Sequence, residues 1–301
     1  MAIDTFQPTE IKYIPELEPR SSGPTIRLYG GRTYNPLEKQ LIPKDPSAKV
    51  LVVAYSHGDP DISAESIQLH EEFFNENGHH NVVGIARNHP DRDQHYNHLD
   101  DAALVMLTAG VQSRFISTVH KTRFAERIID YVKNGGEIQG NSAGEQVMGS
   151  SVLQTHTFED YFTPEAKWVR DHGIKLASST MYKFDYLFPG TGILEGVITD
   201  SHANKRGLAR LLSAVERVRD DRTNKPHLGI AVDECVSVVI KKNGEECSVE
   251  GATNRSAHVI ARGVHLSSGH YTDGVFNQIG EDLFQANFTV GSTFNLRALQ
   301  I

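Results

Sequence analysis

The sequence predicts an α/β fold, three α/β/α layers around a doubly wound and mostly parallel sheet, and three observations carry that expectation. Lys49 to Tyr55 is a continuous apolar run of strand length, as a strand buried on both faces requires. Runs of this kind alternate with amphipathic helical patterns, which implies right-handed βαβ units. Gly140-Asn141-Ser142-Ala143-Gly144 places a serine between two glycines where the extended run Glu137-Ile138-Gln139 gives way to a helix. That strand-turn-helix arrangement is the pattern of a nucleophile elbow.

Taken in order, residues 1–22 are polar, proline-punctuated and aperiodic, and read as an arm before one domain spanning 23–301. Thr25 to Leu28 leads as a strand into the glycine turn Gly30-Gly31. Ala64 to Asn77 carries Ile67, His70, Phe73 and Phe74 along one helical face and stops at Gly78. Val82 to Ile85 and Ala103 to Leu107 are the next strands, with a polar loop from His89 to Asp100 between them. Ser117 or Thr118 caps a predicted helix that runs to about Lys133 on the stripe Phe124, Ile128, Ile129 and Val132. Ser150 to Pro189 has no clear period; ordinary packing of its aromatics is preferred to a lid. Gly196 to Asp200 is a strand, Asn204 to Arg219 a helix, and Asp220 to His227 a charged loop. Leu228 to Val232, Val236 to Ile240 and Ala257 to Ala261 are strands, Asn243-Gly244 a turn, and the last forty residues loop and edge strand.

Bulk properties exclude several function classes. A chain of 301 residues is long enough for a full core. A net charge of -8 argues against an electrostatic nucleic-acid binder, and no apolar run is long enough for a bilayer, so no membrane partner is expected. The start, Met1 to Pro8, has neither a basic nor an apolar leader region. Two cysteines, Cys235 and Cys247, make no disulfide framework; both features predict a cytoplasmic chain. No metal-ligand cluster organises the 15 histidines, and His79-His80 reads as a solvated loop.

A serine hydroxyl needs a base, and the base an orienting acid. His202 follows the strand Val197 to Thr199, and Glu234 follows Leu228 to Val232, so both sit at strand ends where Ser142 also lies. Asp200 is an alternative third member. Ala143, next after the serine, offers its amide to an oxyanion hole. A cysteine-dependent hydrolase is not favoured, because neither cysteine lies in an elbow.

At this point the chain resembles the S51 serine peptidases, the family of cyanophycinase and aspartyl dipeptidase, and is more similar to the cyanophycinase branch. Gly140 to Glu145 matches the family's Gly-Thr-Ser-Ala-Gly-Ala elbow. Gly192 to Ala203 matches its Gly-x-Gly-Leu-Leu-x-Gly-Val-Ile strand and Asp-x-His-Phe segment. Arg206-Gly207 and Arg210-Leu211-Leu212 match the helix that follows, Gly229 to Glu234 a Gly-Ile-Gly-Ile-Asp-Glu strand end, and Ala109 to Gln112 a Gly-Gly-x-Gln loop. The likeness runs from about Ile26 to Ile260.

The resemblance implies a class I glutamine amidotransferase-like fold, a Ser142–His202–Glu234 triad, and an oxyanion hole from Gly110 and Ala143. Gln112, Asp200, Arg206 and Glu145 are its candidate substrate residues. It further implies hydrolysis of peptide or isopeptide bonds at aspartyl residues, a peptide or cyanophycin-like substrate with release of β-aspartyl-arginine, no metal or cofactor, and a homodimer. Asn141, Glu145, Ala203 and Ala109 depart from the family pattern. Glu145, in the first helical turn, has either a structural role near the helix dipole or one in the cleft. The alternative is a catalytically silent relative that binds aspartyl or arginyl peptides without cutting them.

Overall fold

The computed structural model describes residues 23–31, 39, 42–87, 97–120, 122–157, 162–217, 228–241, 244–262 and 277–296. The predicted arm, the loop at 220–227 and most of the loop at 89–100 lie outside these residues. The expected α/β class is what the structure has, with its strands divided between two eight-stranded mixed sheets.

In the first sheet the parallel strands β1 (Thr25–Tyr29), β2 (Lys49–Ala54), β3 (Val82–Ala86), β4 (Ala102–Leu107) and β5 (Glu137–Asn141) lie in the order β1-β5-β4-β2-β3. Beyond β1 the antiparallel strands β11 (Val236–Lys241), β12 (Glu246–Gly251) and β16 (Thr293–Phe294) complete it. The second sheet has a parallel centre of β6 (Gly149–Thr157), β9 (Leu194–Ser201) and β10 (Leu228–Val232). Antiparallel β7 (Ile174–Lys175) and β8 (Lys183–Pro189) flank one side, and β13 (Ser256–Arg262), β14 (Asn277–Gln278) and β15 (Leu283–Thr289) the other.

One apolar cluster runs through both sheets and includes Leu51, Ile138, Val147, Val152, Val232 and Val236. Burial of each such side chain contributes roughly 1.5–3 kcal/mol, so the sheets share a core. Smaller clusters lie beneath α1 (Pro60–Glu76), around Phe74, and beneath α7 (Ala209–Arg217), around Leu211 and Val215.

Among the described strands the chain passes between the sheets four times, after β5, β10, β12 and β15, and the first two passages matter for the site. After β5 it turns through α4 (Ala143–Gln146) and enters the second sheet as β6; after β10 it returns to the first sheet as β11. Both passages meet the end of β1. Ser142 N donates to Tyr29 O (3.0 Å), Gly30 N to Val236 O (3.1 Å), and Cys235 N to Gly31 O (3.0 Å). At the end of β9, His202 N donates to Gly30 O (3.0 Å).

Several predicted elements differ in detail. α1 starts four residues before the expected Ala64, because Asp59 caps it by accepting from Asp61 N (2.8 Å) and Pro60 opens its first turn. The single helix expected up to Lys133 is two, α2 (Gln112–Val119) and α3 (Phe124–Lys133). Thr122 Oγ1 accepts from Phe124 N and starts the second. The aperiodic stretch from Ser150 contains β6, α5 (Pro164–His172), β7 and β8, so it extends the second sheet. The helix expected from Asn204 is split into α6 (Ala203–Arg206) and α7 by Gly207, whose φ of 68° interrupts it. His79 is not solvated; it is buried against Phe74 with Nε2 2.6 Å from Ala48 O.

The elbow is tightly built. A Cβ on Gly144 would overlap the Leu107 carbonyl oxygen at the end of β4. Gly144→Ala should therefore destabilise the fold by about 1–3 kcal/mol, the usual cost of overpacking, as measured by the shift in a denaturant midpoint at constant slope.

Candidate active site

Among the described residues three other than glycine have positive φ: Ser142 (53°), His202 (56°) and Cys235 (63°). Such conformations cost on the order of 1–3 kcal/mol each and persist only where the surroundings impose them. Here all three occupy segments tied to the Tyr29–Gly31 corner. Gly31, itself at φ 97°, can carry no side chain, because a Cβ would overlap the His202 ring. Gly30 is equally constrained by the Asp233 carbonyl.

This backbone brings the sequence-predicted triad together. Ser142 Oγ lies 2.8 Å from His202 Nε2, and His202 Nδ1 lies 2.9 Å from Glu234 Oε1. An imidazole that donates from Nδ1 to the carboxylate presents Nε2 as an acceptor for the serine hydroxyl. Burial lowers the His202 pKa below its ordinary 6.5, against the opposing pull of its hydrogen bond to Glu234, which favours the neutral form a base requires. Glu234 is buried, which by itself would raise its pKa. Hydrogen bonds from Lys205 Nζ (2.8 Å) and His202 outweigh that and bring it to about 2. Its backbone N–H donates to Asn204 Oδ1 (2.9 Å). Asn204, Lys205, Gly30 and Gly31 are contributors that sequence reasoning missed. The Gly-Gly pair was legible only as a turn, and nothing in the spacing of α6 linked it to Glu234.

Asp200 does not take the orienting place. It is buried and receives Arg210 Nε (2.7 Å) and Arg210 Nη2, together with Gln146 Nε2 (2.8 Å). Gln146 Oε1 in turn accepts from Gln112 Nε2, and Arg210 Nη1 donates to Thr155 Oγ1 (2.9 Å). Thr155 Oγ1 donates to Asp185 Oδ1 (2.5 Å). These side chains form a continuous polar floor, in which Arg210 was another residue missed.

Above it opens a cleft of about 580 Å³ lined by Gly110, Gln112, Lys205, Arg206 and Arg210, with Lys183 and Glu165 farther along its wall. Gly110, Gln112 and Arg206 thus share this cleft, whereas Ser142 and His202 are not among its lining residues. Ala143 opens α4, so its amide is one of the helix-start donors without an intrahelical acceptor. Arg206 is exposed, and no hydrogen bond or ion pair engages its guanidinium among the described residues. Glu145 lies beneath the surface and is fully buried.

No family model and no curated protein matches the chain. Solved structures do. A peptidase from an acI-B1 Actinobacterium is 19% identical with a TM-score of 0.59, over 91% of this chain and 97% of that one. A putative Peptidase E protein from Listeria monocytogenes EGD-e is 10% identical with a TM-score of 0.51, over 76% of this chain and 98% of that one. At these identities the likeness is one of fold. No helix among the described residues is long and apolar enough to cross a membrane.

Because the folded pKa of Glu234 is depressed, its ionisation contributes stability above its ordinary 4.5 that is lost as pH falls towards about 2. The stability difference between the wild type and Glu234→Gln should shrink across that window, as read by denaturant unfolding at successive pH values.

Proposed function

We propose that the protein is a serine-type peptidase that hydrolyses peptide or isopeptide bonds next to aspartyl residues. The observation that carries this reading is the relay from Ser142 through His202 to Glu234, with the serine held in a strained backbone conformation. Ser142 Oγ attacks the scissile carbonyl while His202 Nε2 takes its proton, and Glu234 stabilises the imidazolium through Nδ1. The oxyanion is received by the Ala143 amide, with Gly110 as the second donor. The imidazolium then protonates the leaving amine, and water, deprotonated by the same histidine, releases the acyl group from the serine.

The cleft supports the choice of an acidic substrate. Lys205 is committed to Glu234, Arg210 to Asp200 and Arg114 to Glu165. Arg206, unengaged among the described residues, stands beside the floor where it can receive a carboxylate, with Lys183 farther along the wall. Aspartyl dipeptides present that group on the side chain, whereas in a cyanophycin-like substrate, whose aspartyl side chains are amidated, the free carboxylates are those of the attached arginines. The implied homodimer is part of the same proposal and does not enter the chemistry.

Ser142→Ala should lower kcat by about 10⁴-fold or more, since members of a triad act as a unit. A fluorophosphonate probe should label Ser142 in the wild type; full activity in the variant, or an unlabelled wild type, would sink the triad. The acid limb of kcat/KM should fall below pH 6.5, the ordinary histidine value from which burial lowers His202. Arg206→Ala should raise KM for an aspartyl dipeptide roughly 10- to 100-fold, the value of a hydrogen bond to a charged group, and leave KM for a seryl dipeptide unchanged.

A further inference from the structure

Glu145 is a buried acid for which the proposed chemistry has no use. It stands three residues after the nucleophile on α4, is 0% exposed, and both its carboxyl oxygens lack a hydrogen-bond partner among the described residues. Buried polar groups are nearly always paired, and an orphaned one calls for a functional or structural reason. An apolar side chain at this position would avoid the penalty of stranding a carboxyl, so α4 itself does not require an acid here.

The surroundings supply the reason. The charged groups acting on Glu145 are Asp200 from β9, Arg206 from α6 and Arg210 from α7. β1, β4, β5, β6 and α2 also pack on α4 and contribute no further charge to it. Asp200 and Arg210 neutralise each other in a buried pair. Arg206 and Glu145 remain, the first exposed to the cleft and the second enclosed behind it. With Glu145 protonated, Arg206 and Arg210 balance Asp200 and the neighbouring Asp185. With Glu145 ionised, the set gains one negative charge and the pull of Arg206 on an incoming carboxylate is weakened.

We propose that Glu145 determines specificity by setting the charge of the cleft floor, so that proton uptake at this buried carboxyl makes Arg206 available to an acidic substrate group. The inference rests on the reading of Arg206 as the acceptor of an aspartyl carboxylate. Burial, followed by the nearby Asp200 charge, holds the Glu145 pKa well above its ordinary 4.5, and the protonated form is thereby the one the folded protein favours. Linkage then runs both ways: a carboxylate bound at Arg206 strengthens the hold on the Glu145 proton, and loss of that proton weakens the carboxylate by the same factor. Glu145 touches no reacting atom. It acts through Arg206 and is a specificity-determining residue, not a catalytic one.

The test is calorimetric binding of two unhydrolysed peptides, aspartyl-alanine and seryl-alanine, to full-length Ser142→Ala protein with and without Glu145→Gln, at successive pH values above the ordinary 4.5 of a glutamate. The ratio of the two dissociation constants cancels the titration of the peptide amine and of His202, which both peptides share. In the Ser142→Ala protein the preference for aspartyl-alanine should decline as pH rises, by on the order of tenfold; with Glu145→Gln it should persist unchanged. Matching pH profiles in the two proteins overturn this inference alone. Absence of any preference for aspartyl-alanine at every pH overturns the aspartyl reading as well.

Should the glutamine amide prevent folding, Glu145→Ala serves instead, because alanine has the highest helix propensity. A substrate-free measurement completes the test. A raised folded pKa means that stability present below about 4.5 is lost as pH rises towards the folded value. The Tm of the wild type should therefore fall, relative to either Glu145 variant, as pH increases above 4.5. Parallel Tm curves would show that Glu145 does not carry the proton and would overturn the proposal.

Discussion

The corner formed by Tyr29, Gly30 and Gly31 is the constraint on which the site depends. Its carbonyls accept from Ser142, His202 and Cys235, and its Gly30 N–H reaches Val236. Each such bond contributes about 0.5–1.5 kcal/mol net, while each positive-φ residue it restrains costs about 1–3 kcal/mol. The two sums are of the same order. Strain at the three triad segments is therefore sustainable only while the corner remains intact, and the glycines keep it intact by letting the Asp233 backbone and the His202 ring approach where a side chain would stand.

Electrostatics divides the site into two parts with different duties. Glu234 is saturated by His202 and Lys205, so its charge is committed to orienting the base. The floor beneath the cleft is saturated in another way: Gln112, Gln146, Asp200, Arg210, Thr155 and Asp185 satisfy one another in sequence. A buried ion pair such as Asp200–Arg210 adds little net stability, because desolvation offsets its attraction. Its effect is to fix positions and to remove two charges from competition, which leaves the neighbouring groups to govern what enters.

The fold class and the positions of the candidate site residues were legible in the sequence, and the pairing of the strands was not. Ser142 announced itself by its flanking glycines, and His202 and Glu234 by falling at strand ends, because a strand end is where a sheet exposes its side chains to a ligand. Asp200 could not be separated from Glu234 on spacing alone; the contact of His202 Nδ1 with Glu234 and the pairing of Asp200 with Arg210 decide between them. The division into two sheets was hidden because periodicity reports burial and not which neighbour a strand pairs with. β6 and β8 were obscured for a related reason. Both carry polar residues facing the cleft, Gln154, Thr155 and Asp185 among them, and these break the apolar pattern by which a buried strand is recognised. Gly207 marked a helix boundary that the apolar stripe of α7 overrode.

The passages of chain that follow β5 and β10 have a consequence for how the site and the fold are related. Ser142 rides on the passage after β5 and Glu234 on the passage after β10, while His202 closes a strand of the second sheet and leans on a corner of the first. Neither sheet alone carries a working set. A chain in which the sheets have not docked holds Ser142, His202 and Glu234 without bringing them within hydrogen-bonding distance. The relay is in that sense a reporter of docking, since whatever separates the sheets also separates Ser142 from His202.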